Sequence, residues 1–428
     1  MAGPFKGIRV LDMSTVLMGP YASQMMADMG ADVIKIEPPQ GDVMRKVGPM
    51  RHDGMGALFL HVNRGKRSIV LDLKVPAGLD VLRRMLVDAD VLLYNLRPHS
   101  MERLGLGYEA VARINPRLIY LGTFGFGEAG RYAGRPAFDD LIQGAIGLPS
   151  LMHAAGTDVP RYVPANIADR TVGLHAVAVL GGALYHREKT GRGQRIDIPM
   201  FETMVNHLLG DHLAGQSFDP PLGPAGYPRL LASNRRPYRT RDSYVCAMIY
   251  NDPQWIRFLS AIGRSELWGT DPRLADMNTR TQHAEALQTM LGEIFLERTT
   301  QAWLALLEQA DIPCMPLHTV DTLLQDPHLA DVGLFEWTEH PTEGRLRQIG
   351  VPTRWSDSQP EPGTPAPRAG EHSLEILQEL GCTAVEIEEL MRSGAAAGVP
   401  GADRSTANPQ TLDTPQTRCA PPTPSRTD

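Results

Sequence analysis

Residues 8–36 read IRVLDMSTVLMGPYASQMMADMGADVIKI. The first six of these form a short apolar run of strand character. Gly19-Pro20 punctuates it, and proline suits the first turn of a helix. Residues 21–29 have helical spacing, Gly30 stops them, and residues 33–36 are a second strand. The alternation continues outward. Residues 68–71, 91–96 and 118–121 read as strands, and 77–88 and 108–114 as helices. Strands alternating with helices of this length predict an α/β fold with a parallel sheet and helices on its faces.

The most helical stretch is 167–190. It is apolar on nearly all sides until charge appears at His186-Arg-Glu-Lys189, so it is expected to be buried in the core or in a subunit interface. Gly191-Arg-Gly193 ends it and residues 194–198 form another strand. Residues 1–210 therefore read as the first part of a large domain. Residues 211–237, crowded with Gly and Pro, read as a linker. Residues 238–320 are mainly helical after a short strand and read as a smaller inserted domain. Residues 321–392 return to mixed structure. Residues 393–428 hold only Val399 and Leu412 as large aliphatics, too few to offset the entropy of ordering, and are expected to be disordered.

The 428 residues carry 42 Lys and Arg against 49 Asp and Glu, a net charge of −7 with no basic block. Nucleic acid and anionic membrane are therefore poor partners. No uninterrupted apolar run reaches the roughly 20 residues of a membrane span. Cys246, Cys314, Cys382 and Cys419 are too scattered for a zinc motif and too few for a disulfide framework. A soluble enzyme of a reducing compartment, the cytoplasm, is expected. No H-E-x-x-H and no G-x-S-x-G occurs, and no metal is expected.

Three motifs need weighing. Gly125-Phe-Gly127-Glu-Ala-Gly130 spells the dinucleotide fingerprint, but loop residues follow it and no acidic residue ends a second strand about 20 residues on. A mobile glycine loop over a substrate is the better reading. Gly65-Lys-Arg-Ser68 lacks the upstream glycine of a P-loop. Arg64, Lys66 and Arg67 stand open between phosphate contact and a solvated strand start. Asp169, in Asn166-Ile-Ala-Asp169-Arg-Thr, stands at the start of the long helix. As a helix N-cap it would be worth about 1 kcal/mol. As a working carboxylate it would sit among the free N–H groups of a helix N-terminus, which hold anions. His175 is no obvious partner, being about 120° off its face.

The ordered pieces resemble the class III CoA-transferase family, which includes formyl-CoA transferase, carnitine CoA-transferase and the α-methylacyl-CoA racemases. The matching stretches are Gly7-Ile-Arg-Val-Leu-Asp12, Gly19-Pro20, Gly30-Ala-Asp-Val-Ile-Lys-Ile-Glu37 and Asn63-Arg-Gly-Lys-Arg-Ser68. Asn95-Leu-Arg-Pro98, Ala168-Asp169, Lys189-Thr-Gly-Arg-Gly-Gln194, Asp326-Pro327 and Gly370-Glu-His372 follow in family order. The resemblance implies a Rossmann-like CoA domain built from N- and C-terminal segments, a smaller inserted domain and an interlocked-ring homodimer. It implies an acyl-CoA and a carboxylic acid as substrates, with no permanently bound cofactor. Asp169 falls at the position of the family's nucleophile, which forms an aspartyl anhydride and then an aspartyl-CoA thioester. Matching positions for CoA contacts are Val16, Met18, Leu73, Lys74, Asn95, Leu96 and Arg103. Backbone N–H groups near Asp169 or in the loop of Gly125 and Gly127 would hold oxyanions.

Departures narrow the reading. Leu17 stands where formyl-CoA transferase has a polar residue, and that enzyme's small-domain glycine loop is replaced near Asn234-Arg-Arg-Pro-Tyr238, against an oxalate/formate pair. Phe138 stands where the racemases have His. The alternative, racemisation by proton abstraction at the α-carbon, needs two acid–base groups, and Phe supplies none. Succinyl-CoA is the donor considered, and Arg235 and Arg236 are the candidate contacts for the acceptor acid. One of the two would reach the domain cleft and hold the far carboxylate of a dicarboxylate, because guanidinium pairs carboxylate bidentately. The competing reading leaves both arginines solvated at a domain edge.

Overall fold

A computed structural model describes residues 3–399. Six parallel strands form the main sheet: β1 (Arg9–Asp12), β2 (Asp32–Glu37), β3 (Lys66–Leu71), β4 (Val91–Tyr94), β5 (Ile119–Phe124) and β6 (Arg195–Pro199). Their spatial order is β3-β2-β1-β4-β5-β6. The chain thus steps outward from β1 to β3, then returns to place β4 on the other side of β1. Each strand sends successive side chains to opposite faces. Val10, Val33, Val91, Leu93, Ile119 and Leu121 enter one core with the helix Met18–Asp28 and the long helix Ile167–Thr190. Leu11, Ile34, Leu92 and Tyr120 enter the other, with the helix Pro76–Val87. Burial on both faces is why these strands read as continuous apolar runs rather than alternating ones.

The C-terminal helices Ser373–Glu379 and Ala384–Arg392 bury Ile376, Leu377, Ile387 and Leu390 in that second core, some 300 residues on from Leu71. Between them and the first half lie an antiparallel sheet of β7 (Tyr238–Arg239), β8 (Tyr244–Ala247) and β9 (Cys314–Pro316), and a hairpin of β10 (Phe335–His340) and β11 (Gly344–Ile349). The small sheet has its own core around Phe258, Phe295 and Trp303.

Within the single chain the long helix is buried along one face, and whether its other face enters a subunit interface is a matter of the assembly. Ala168, Val172, Ala176, Leu180 and Ala183 form its buried stripe, while Leu174 and Tyr185 are 53% and 67% exposed on the chain. It is long and apolar enough to cross a membrane, and the buried stripe accounts for much of that apolarity.

One expectation needs correction: the tail expected to be disordered from Ser393. Its first residues are ordered: β12 (Ala396–Ala397) adds to the β3 edge antiparallel, with Ala396 opposite Leu71. Asp72 N–H donates to Ala395 O at 3.0 Å, and Ser373 Oγ donates to Ala397 O at 2.6 Å. Backbone pairing needs no large side chain, so a composition argument cannot see it. The close approach falls on Gly78, where a Cβ would come within 2.9 Å of Ala395 O. Residues 400–428, the rest of the expected disordered tail, lie outside the described residues. A chain ending at Ser393 should be less stable than one ending at Val399 by about 2–4 kcal/mol, through the lost edge bonds and the uncovered apolar surface. Urea unfolding of the two chains measures this.

Candidate active site

The crevice outside the carboxyl ends of β1 and β4 is the topological switch point of the sheet, the place where open α/β sheets bind ligands. The loop that leaves β1 is fastened there to the loop that leaves β4. Thr15 N–H donates to Asn95 Oδ1 at 3.0 Å, and Asn95 Nδ2 donates to Thr15 O at 2.7 Å. Val16 follows with φ 70°, a left-handed conformation that a β-branched residue rarely adopts. Met18 opens the first helix and is buried. Val16, Met18, Asn95 and Leu96 are thus brought to one crevice. Leu73 and Leu96 pack on the same core, and Lys74 N–H is held by Asp72 Oδ1 at 3.0 Å. Lys74 and Arg103 are exposed, and neither side chain forms an ion pair among the described residues. That leaves both cations available to an anionic ligand.

The basic cluster at the start of β3 is not available. Lys66 is fully buried and paired with Asp12 at 3.0 Å. Arg64 pairs with Asp28 at 2.8 Å, and Arg67 with Asp32, Glu375 and Glu379. The phosphate-contact reading of these three residues gives way to internal pairing, which supplies the anions the phosphates would have.

Asp169 is not a cap. Asn166 holds the N-cap position and Asp169 is the third residue inside the helix. Its carboxylate makes no hydrogen bond among the described residues, although the residue is only 8% exposed. Its backbone N–H donates to Asp139 Oδ1 at 2.9 Å, and Gln143 Nε2 donates to Asp139 Oδ2 at 2.7 Å. Gln143 also accepts from Val163 N–H at 2.9 Å, which fixes the segment leading into the helix. Burial first, and then the charge of Asp139, push the Asp169 carboxyl up to about 7, while Arg170 pulls it back. One turn on, Gly173 lets the helix close on Met18 O, where a Cβ would come within 2.9 Å. Asp169 shares that face of the helix.

A cavity of about 300 Å³ opens beside the β4 end of the crevice, lined by Asn95, Leu96, Gly125, Phe126, Arg135 and Phe138, with Asp169 outside its lining. Phe138 immediately precedes Asp139, so the cavity wall and the carboxylate beneath Asp169 are consecutive residues. The glycine loop is pinned rather than loose. A Cβ on Gly125 would fall 2.3 Å from Ala137 Cβ, and Gly127 N–H donates to Glu202 Oε1 at 2.9 Å. Its glycines serve close approach, and Gly125 alone of the pair lines the cavity. Arg235 and Arg236 are both exposed. Arg236 lines a different cavity, of about 470 Å³, with Tyr238 and Glu293, and neither arginine joins Asp169 within the chain.

Sequence reasoning missed Asp139 and Gln143. The available signal was an Asp and a Gln four apart at a helix start, on one face. It also missed Lys35 and Asp42, although a lysine inside the apolar run Val33-Ile-Lys35-Ile36 was visible.

Residues 5–373 match the sequence model of CoA-transferase family III. The chain belongs to that family. It is 32% identical over 390 residues to the succinate–glutarate CoA-transferase of Agrobacterium fabrum, covering 88% of this chain and 96% of the relative. It is 31% identical over 420 residues to the formyl-CoA:oxalate CoA-transferase of Escherichia coli, covering 92% of this chain and 100% of the relative. The crystal structure of a CAIB/BAIF family protein from Brucella suis superposes with a TM-score of 0.74 at 31% identity, covering 89% of this chain and 100% of that one. The protein is an enzyme of the family III CoA-transferase class, acting on CoA thioesters and carboxylates.

A carboxyl whose folded pKa lies above its unfolded value binds its proton more tightly when folded. Its contribution to stability is full below the unfolded pKa and is lost as pH rises toward about 7. Asp169→Asn should therefore be more stable than the parent chain at pH 8, by on the order of 2 kcal/mol. Asp139→Asn should move the acid limb of a kcat/KM profile toward lower pH, because it removes the second cause of the raised pKa. Denaturant melts at pH 5 and 8, with a pH–rate series, check both.

Proposed function

We propose that this transferase moves CoA from an acyl-CoA donor, such as succinyl-CoA, to a second carboxylic acid, with Asp169 as the nucleophile, in a homodimer of interlocked chains. The Asp169 carboxylate attacks the thioester carbonyl, the C–S bond breaks, and an aspartyl anhydride and CoA thiolate result. The thiolate attacks the aspartyl carbonyl and releases the donor acid, leaving an aspartyl-CoA thioester. The acceptor carboxylate attacks that thioester and regenerates thiolate with a new anhydride. Thiolate attack on its acyl carbonyl then yields product acyl-CoA and free Asp169. Covalent catalysis divides one hard exchange into four easier ones.

The observation that carries this reading is a buried carboxylate with no hydrogen bond of its own among the described residues, at the end of a helix beside the switch-point crevice. Such a carboxylate is poorly stabilised as an anion, and so is reactive toward a carbonyl. The exposed apolar residues Leu174 and Tyr185 on the same helix, with Phe138 and Leu141 beside the cavity, favour a covering second copy. Proton abstraction finds no support at Phe138, which cannot titrate.

Asp169→Ala should retain its fold and lose all but about 1% of turnover or less. Donor acyl-CoA alone, quenched in hydroxylamine, should convert Asp169 to a hydroxamate detectable by peptide mass spectrometry. Retained turnover, or a hydroxamate elsewhere, would overturn the assignment.

Of the two arginines, Arg236 stands in the wall of the cavity of about 470 Å³ with Tyr238 and Glu293, which favours it for the acceptor reading. Arg236→Ala should lower kcat/KM for dicarboxylate acceptors about 30- to 150-fold and spare monocarboxylates of equal length. Arg235→Ala should change neither. An equal loss on both acceptor types would return Arg236 to the surface.

A further inference from the structure

Three consecutive residues leave β1 at the switch point, and each is fastened from outside its own loop. Lys35 Nζ donates to Ser14 O at 2.9 Å. Asn95 brackets Thr15 from both sides. Val16 N–H donates to Asp42 Oδ1 at 3.3 Å, and the other Asp42 oxygen lies 2.8 Å from Lys35 Nζ. Asp42 is 1% exposed and Lys35 is fully buried, so neither can touch a ligand in the crevice. Asp42 is itself held, since its N–H donates to Glu37 Oε2 at 3.0 Å and its Oδ1 also accepts from Met44 N–H at 3.0 Å.

Val16 stands at φ 70° although nothing in an isolated Leu-Asp-Met-Ser-Thr-Val-Leu segment favours it. A left-handed conformation places Cβ against the following carbonyl, and a β-branched residue tolerates this least. The surroundings must impose it. A relaxed Val16 would rotate the peptide that joins it to Leu17 and swing the start of the first helix.

We propose that Asp42, clamped by Lys35, is a positioning residue of the acyl-CoA site: it holds Val16 in the left-handed conformation and so fixes the direction in which the 14–18 loop faces the thioester. This rests on the reading of the switch point as the acyl-CoA site. Asp42 acts through the backbone of Val16 and takes no part in the chemistry, so its loss should appear in acyl-CoA binding and not in the later steps.

The test is a double-mutant cycle on Asp42 and Val16, read as KM for succinyl-CoA, kcat, melting temperature and CoA affinity by calorimetry. Asp42→Ala should raise KM about tenfold while kcat changes less than threefold. Asp42→Asn, which keeps an acceptor oxygen but loses the charge that Lys35 holds, should fall between. Val16→Gly and Val16→Ala both lose the side-chain methyls, but only glycine escapes the backbone penalty. Val16→Gly should therefore melt higher than Val16→Ala and yet bind acyl-CoA more weakly, because its loop is no longer confined. Once Val16 is glycine, adding Asp42→Ala should raise KM less than threefold further, the non-additivity of two residues acting as one.

Multiplicative losses, a fall in kcat as large as the rise in KM, or equal KM for Val16→Gly and Val16→Ala would overturn the proposal. If Asp42→Ala does not fold, Asp42→Asn and the glycine–alanine pair carry the same comparison. Failure of the parent enzyme to bind CoA would instead overturn the assignment of the site, and this proposal with it.

Discussion

Two lysines and two aspartates, Lys35, Lys66, Asp12 and Asp42, meet buried beneath the loop that leaves β1. Lys66 Nζ reaches Asp12 Oδ2, Pro20 O and Asn63 Oδ1, all within 3.0 Å, and Lys35 reaches Asp42 and Ser14 O. Burial alone would raise the Asp12 carboxyl, but Lys66 and Lys35 beside it, with Ser14 and Ser23, hold it well below the usual carboxylate range. Burial pushes the Lys66 ammonium down to about 8 despite Asp12. Glu37 and Arg45 extend the group, joined at 2.6 Å. Removing one member of such a set leaves a stranded charge, typically at a cost of about 3–5 kcal/mol. An apolar replacement of the whole set could be equally stable, so stability alone does not explain it. What it supplies is direction: charge-assisted bonds have fixed lengths and angles, and the loop from Ser14 to Val16 stands on them.

The same economy appears at Asp169 with the opposite sign. There the fold buries a carboxylate, sets a second carboxylate behind it and, among the described residues, supplies no side-chain donor. Asp12 is made comfortable as an anion and Asp169 is not. The difference lies in neighbours, since both are buried aspartates at the edge of one layer of helices and strands. Sites that act on substrates are commonly placed where local stability is given up, and structural ion pairs where it is gained. Asp139 links the two roles. Fixed by Gln143, it holds the first turn of the long helix through a backbone N–H while its charge bears on Asp169.

The alternation of strands and helices, the long helix and the order of family stretches were all legible from residue types alone. Their physical causes are local or periodic: continuous apolar runs for doubly covered strands, Gly30 and Gly191 as stops, proline at helix starts. Asp169 was legible as a candidate by its place at a helix start, although its role as a cap was misjudged by three residues. Helix boundaries are set by which N–H groups find partners, and those partners come from elsewhere in the chain.

Other features could be decided only in three dimensions. Whether Lys66 and Arg67 faced phosphate or internal carboxylates depended on Asp12, Asp32 and Glu379, which arrive from strands and helices up to 312 residues away. The small residues after Ser393 gave no hydrophobic signal, yet the open edge of β3 recruits them by backbone bonds that any sequence can make. Arg235 and Arg236 are neighbours in the chain, and the approach to β7 sets Arg236 and not Arg235 in the wall of the 470 Å³ cavity. A sequence specifies periodicity, propensity and charge, because these belong to each residue and its near neighbours. Pairing across the sheet, the strain at Val16 and the uncomfortable carboxylate of Asp169 belong to no segment alone. Each is a balance between groups that meet only after the chain has closed on itself.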